Sequence, residues 1–287
     1  MKDILKSLIV TGDDFGLALP VNHAIVEAHK GGILTTASLM VGERYFMDAV
    51  DRARRNPTLK VGLHLTLVEG LPVSKPSQIP DLLDANGSFF SQLGRSGFRF
   101  FFRPKIRKQL ETEIRAQFEI FSKTGLLLDH VNAHNHMHLH PTVLRLILKV
   151  GKDYGLKAVR LPNEPPLRSS KASLKPFAPR FASWIFLSPW MYLLKMLLQR
   201  ARIRYNDFFF GMEDSGAMTA DLVLRILKNL PEGTTELCFH PATNRSKEID
   251  YTMPNYRHEE EFRALTSNVI LEAARAAGAK RISFSDL

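Results

Sequence analysis

The chain has 287 residues, 45% of them hydrophobic, and 39 Lys and Arg against 29 Asp and Glu give a formal net charge of +10. That length and apolar content suffice for one domain of barrel size, and a single cysteine, Cys238, excludes an intrachain disulfide and a thiolate metal cluster. With no secretory leader pattern and no uncharged apolar run near the roughly 20 residues of a membrane span, a cytoplasmic location is expected; the charge points to anionic partners, but no helix-turn-helix, zinc-finger or RNP-like pattern supports nucleic acid.

Residues 7–12 read as a first strand ending in Gly-Asp13-Asp14-Phe-Gly, and 20–30 as a helix with Pro20 in its first turn and Gly31-Gly32 as its stop. Residues 34–41 read as a second strand, 46–55 as a helix closed by Asn56-Pro57, and 60–68 as a third strand carrying His64. From 70 to 105 the prolines and glycines predict an excursion without regular structure. A helix over 106–123 follows, then an apolar strand from Leu126 that delivers His130 to Pro141, where five of the ten histidines lie. The pattern continues with a helix over 142–154 and a short strand over 157–161. A second excursion spans 162–216. It contains an uncharged stretch, 181–194, with both tryptophans, and Pro189 should interrupt any helix there. A helix over 221–230, a strand over 235–239 ending in His240-Pro241, a long helix over 260–277 and a last strand over 281–284 complete the chain. Strands alternating with helices predict an α/β fold, a distorted (β/α) barrel of about seven strands, as a single domain with two excursions.

Asp13-Asp14, His64 and the histidines after 133 each follow a strand, and in such a barrel they gather at one mouth. Carboxylate and imidazole without thiolate make an N/O site for Zn, Mn, Fe, Ni or a Mg-like ion. Of the two adjacent aspartates, one can bind the ion while the other approaches its water. His240 is as consistent with a structural role as with a catalytic one. Metal, carboxylate and an opposed histidine describe metal-assisted hydrolysis.

Thr-Gly-Asp13-Asp14-Phe-Gly, Gly62-Leu-His64, His130-Val-Asn-Ala-His134-Asn-His-Met-His, Phe208-Phe-Phe-Gly211 and Cys238-Phe-His240-Pro241 together resemble the YdjC-type carbohydrate deacetylases over nearly the whole chain. The resemblance implies a divalent-metal hydrolase, using Mg or Zn, that removes acetyl groups from N-acetylated sugars. By motif, it implies Asp14, His64 and His134 as metal ligands, Asp13 as base and His240 as acid. Within the family the chain resembles the branch associated with hopanoid biosynthesis, which implies an N-acetylglucosaminyl hopanoid as substrate. Soluble N-acetylated oligosaccharides such as chitooligosaccharides, or a non-catalytic metal- or sugar-binding role, are the alternatives. Residues 176–204, Trp-rich and flanked by basic side chains, are expected to contact a membrane peripherally on its inner face, the alternatives being that they cap the barrel as part of its core or form a homodimer interface.

Overall fold

The computed structural model describes residues 6–287, and its sheet grows outward from β1 (Lys6–Phe15), whose last eight residues are buried. In chain order there follow α1 (Leu19–Gly31), β2 (Thr36–Leu39), α2 (Phe46–Arg55) and β3 (Lys60–Leu65). Next come α3 (Leu93–Phe102), α4 (Pro104–Lys123), β4 (Leu128–Ala133), α5 (Pro141–Gly151), α6 (Pro166–Ser173) and α7 (Phe177–Arg200). The chain closes with β5 (Phe208–Phe210), α8 (Ala220–Lys228), β6 (Gly233–Phe239), α9 (Lys247–Thr252), α10 (His258–Thr266), α11 (Asn268–Ala276) and β7 (Ala279–Arg281).

All pairings between these strands are parallel, in the order β4-β3-β2-β1-β6-β5, with β7 joining β1 at Lys6–Leu8. The result is a curled half-barrel of six to seven strands, the α/β class expected from the alternation. Residues 157–161 form no ladder of their own. They bridge instead: Val131 N–H donates to Ala158 O, Arg160 N–H to Val131 O and Val159 N–H to Arg204 O, which carries the curl from β4 toward β5. Close strand approach needs Gly62, where a Cβ would lie 2.5 Å from the His130 ring.

Four expectations require correction. The first excursion contains a helix, α3, despite Gly94 and Gly97, because Ser96 and Phe100 bury one face of it; packing overrides propensity. Pro189 does not interrupt α7, which runs through it for 24 residues. The carbonyl of Ile185, which Pro189 cannot reach for want of an N–H, accepts the Ser188 hydroxyl at 2.9 Å. The long helix expected over 260–277 is two, because the Leu265 carbonyl accepts Ile33 N–H at 3.1 Å and Ser267 turns extended. The last strand lies earlier, at 279–281, and Phe284–Asp286 is a short 3-10 turn.

Glu261 ties α10 to the end of β6. Its Oε1 accepts Met218 N–H at 2.9 Å and its Oε2 accepts His240 N–H at 2.5 Å. Burial opposes its ionisation more strongly than these two bonds favour it, and the carboxyl is pushed up to about 7. The fold therefore prefers the neutral form. The associated stability is fully present below the ordinary carboxylate range and is lost as pH rises through about 7. Thermal unfolding followed by circular dichroism from about pH 5 to about pH 8 should show a decline on the order of 3 kcal/mol, which Glu261→Gln should flatten. An equal decline in the variant would rule out Glu261 as its source.

Candidate active site

Adjacent side chains on a strand normally leave by opposite faces. At the end of β1 the register with β2 shifts between Gly12 and Phe15, and Asp14 takes a left-handed φ of 61°. This bulge turns both Asp13 and Asp14 into the mouth at the C-terminal strand ends. His64 reaches the same mouth from β3, His134 from the residue after β4, and His240 from the residue after β6. All five residues singled out in the sequence are brought together.

They form two groups. Asp14 Oδ1 lies 3.3 Å from His64 Nε2 and 3.2 Å from His134 Nδ1, and all three side chains are buried. Burial opposes the charge on Asp14, but His134 and His64 hold its carboxyl far below the usual range. Asp14 in turn raises His134 against the downward push of burial. Asp14 Oδ2 and His64 Nε2 have no hydrogen-bond partner in this pocket. A buried carboxylate oxygen without a donor is costly, and one oxygen and two imidazole nitrogens within 4.8 Å of one another are a donor set suited to a divalent ion.

The second group is Asp13, Cys238 and His240, likewise within 4.8 Å. It suits an ion poorly, because both Asp13 oxygens are already engaged: Arg160 donates to them at 2.6 and 2.9 Å, and the Cys238 thiol donates at 3.1 Å. Burial opposes ionisation of Asp13, but the Arg160 guanidinium holds its carboxyl well below the ordinary range. Burial also raises the Cys238 thiol, so no thiolate is offered. Burial lowers His240, whose ring meets that of Tyr256 edge-on at 5.2 Å.

Asn132 stands between the groups. Its amide lies 2.6 Å from His64 Nδ1 and 2.9 Å from Arg160 Nη1, so its carbonyl serves one or the other. With the carbonyl turned to Arg160 it accepts from both guanidinium nitrogens at 2.9 and 3.0 Å while the amide N–H donates to His64 Nδ1; turned to His64 instead, it would make Nδ1 the donor and leave Nε2 as a lone pair for an ion.

The remaining histidines of the 130–140 stretch divide by role. His130 is buried, 2.9 Å from Asp129 and 3.1 Å from Ser38, and stacks on Phe284. His138 Nδ1 accepts Ala133 N–H at 3.1 Å. Both are structural. Asn135 and His136 take left-handed backbone, which swings His136 into the mouth, where burial and Arg160 press it down to about 3.

Arg160 was not among the residues picked from the sequence. Lys157-Ala-Val-Arg160-Leu reads as a plain strand, and the available signal was a charge within an apolar run, a residue rarely buried unless paired. Also unforeseen is the cleft opening from the mouth. The inner cavity of about 220 Å³ shares Glu69, His134 and Thr252 with an outer cleft of about 660 Å³, onto which Glu43, Asp84, Ser88, Glu248 and Tyr251 also face.

Residues 7–276 match the family described as YdjC-like protein. A protein of Thermoanaerobacter pseudethanolicus named carbohydrate deacetylase is 29% identical over 272 residues, 94% of this chain and 95% of that one. The Mus musculus protein of the same name is 32% identical over 255 residues, 82% of this chain and 77% of its own. The Brevibacillus brevis protein of that name reaches 42% identity over 147 residues, 51% of this chain, and there the match spans only 56% of the relative's length. Among solved structures, a candidate cellobiose-phosphate cleavage protein of Enterococcus faecalis superposes with a TM-score of 0.77 at 25% identity, covering 98% of both chains. A match over most of the described residues, with the five site residues at its strand ends, means that the chain belongs to the YdjC-like protein family.

Proposed function

We propose that the chain is a metal-dependent N-deacetylase that hydrolyses the acetamido group of an N-acetylated sugar. The observation that carries this reading is the convergence of Asp14, His64 and His134 beside the separate, Arg160-held carboxylate of Asp13. Relatives named carbohydrate deacetylase support the substrate class. The cleft supports it too, since its carboxylates and hydroxyls are acceptors for sugar hydroxyls and its volume falls in the range of small-ligand sites.

Asp14, His64 and His134 would hold the ion, and two imidazoles among three donors suit Zn better than Mg. When bound, the ion supplies polarisation of the acetyl carbonyl and a more acidic water. Asp13, ionised and clamped by Arg160, orients the attacking water and takes its proton as the bond to carbon forms. A carboxylate so well paired is a weak base at equilibrium, and it passes the proton on. His240 lies within 4.8 Å of it, a distance one water can bridge, and enters the cycle neutral because it is buried. The imidazole receives the proton and delivers it to the departing amine, so that acetate and the free amino sugar leave together.

The finer form of the proposal is a lipid-borne substrate, an N-acetylglucosaminyl hopanoid, reached by peripheral contact with a membrane. Its support is the exposed apolar helix α7, which packs on the turn that carries His134.

The ligand assignment predicts that His64→Ala and His134→Ala each lose bound metal, measured by elemental mass spectrometry after gel filtration, and lose acetate release, while circular dichroism stays native. Full metal content in His134→Ala would move the site elsewhere among the histidines.

Asp13→Asn should keep its metal and lose roughly 10²- to 10⁴-fold in turnover. Metal loss there, with retention in Asp14→Asn, would reverse the roles of the pair. For the substrate, purified enzyme incubated with soluble N-acetylglucosamine oligomers and with N-acetylglucosaminyl lipid should release acetate; release from neither would sink the deacetylase reading.

A further inference from the structure

Helix α7 lies along the surface rather than within the protein. Its N-terminal end is fixed by buried Arg180, which donates to both Asp214 oxygens at 2.8 Å and reaches Ser169 and Glu164. Its C-terminal half is fixed by Leu194 and Leu198, both in the core. Between these anchors the helix is apolar on nearly every side, with Phe186 and Tyr192 each 74% exposed. Over its most apolar 18 residues the mean hydropathy is 1.4, and only 17% of that window is buried. By length and composition such a helix passes for a membrane span. Attachment to the protein at both ends does not allow it to cross a bilayer.

A second helix matches it. On α3, Phe98 is 64% and Phe102 59% exposed, and α3 and α7 both pack on α5. Both helices belong to acid-free stretches, 85–110 and 165–206, which hold 14 of the 39 Lys and Arg and none of the 29 Asp and Glu. The rest of the chain has 25 basic against 29 acidic residues, a net charge of −4, so the net positive charge of the protein comes from these two stretches. Arg180 and Lys175 pair with Asp214, and Lys105 with Asp81. Among the described residues, Arg95, Arg103, Arg107, Lys171, Lys195 and Arg200 form no ion pair.

A helix that is apolar all round is normally covered. The charge placed beside this one indicates what covers it. A self-association face would set like charges against each other, whereas exposed Phe, Trp and Tyr within chain stretches that carry cations and no acids match the interfacial zone of an anionic bilayer. We propose that α3 and α7 form a two-part docking surface for anionic phospholipid, which seats the protein on a membrane beside its own active-site mouth. This surface supplies the partner for the lipid-borne form of the function above, yet its binding does not depend on any reaction.

The test is co-sedimentation of the full chain with phosphatidylcholine vesicles, with and without about one third phosphatidylglycerol. Binding should be at least about tenfold tighter to the anionic vesicles and fall off between about 0.05 and about 0.5 M salt as charges are screened. Phe186→Glu on α7 and Phe98→Glu on α3 should each weaken it at least about tenfold while far-ultraviolet circular dichroism and melting temperature stay at wild-type values. Both side chains are exposed, so neither change disturbs the core. Wild-type protein that leaves anionic vesicles in the supernatant overturns the proposal, as does undiminished binding in both variants. So does a dimer, seen by light scattering, that Phe186→Glu splits and that ignores vesicles, or retention on duplex DNA without retention on vesicles. Because the readout is sedimentation, loss of the deacetylase reading would leave it intact, and the reverse also holds.

Discussion

A single guanidinium organises the middle of the molecule. Arg160 is completely buried, donates twice to Asp13, pairs with Glu236 through Nε at 2.9 Å, and lies over the Phe209 ring. Glu236 is held in turn by the Thr11 hydroxyl at 2.7 Å. Two carboxylates from β1 and β6 thus share one cation from the bridging segment that carries the curl of the sheet. Removing Arg160 would strand two carboxylates in a medium that cannot solvate them, at a cost of about 3 to 5 kcal/mol. That price explains why so irregular a segment as 157–161 keeps a defined path. It must bring Arg160 to the centre. The same interaction fixes the orientation of Asp13, so the packing of the sheet and the geometry of the candidate site rest on one group.

Much of the site was legible in the sequence because parallel strands deliver the residue after an apolar run to a common rim. Asp13, Asp14, His64, His134 and His240 each follow such a run, and their convergence needed only the alternation of strands and helices. Sorting the histidines needed more. His130 and His138 share the local spacing of His134, yet one ends on Asp129 and Ser38 and the other under a backbone amide, because the turn after β4 is left-handed at two residues. Arg160 was hidden for a different reason: its partners lie 76 and 147 residues away in the chain. The misread helices have local causes that depend on distant contacts, as with the Leu265 carbonyl drawn away by Ile33.

The second excursion is tied to the rim of the candidate site through polar contacts. Glu164 accepts the Met212 and Glu213 N–H groups at 2.9 and 3.1 Å, and Arg180 of α7 grips Asp214 in the same loop. Met212 and Ser215 line the inner cavity beside His240. The apolar helix and the wall of the inner cavity are therefore joined by one continuous set of polar contacts.

The left-handed backbone of Asp14 narrows what the centre can become. Residues other than Gly, Asn and Asp enter that conformation at a cost of roughly 1 to 2 kcal/mol, and of those three only Asp carries a negative oxygen. Glu would keep the charge and forfeit the backbone; Asn would keep the backbone and forfeit the charge. If the proposed ion is held here, a change in its preference would have to come through the imidazole positions, His64 on a regular strand and His134 at the opening of a turn. The anionic corner is frozen by its own geometry, and the lineage is left two histidines with which to experiment.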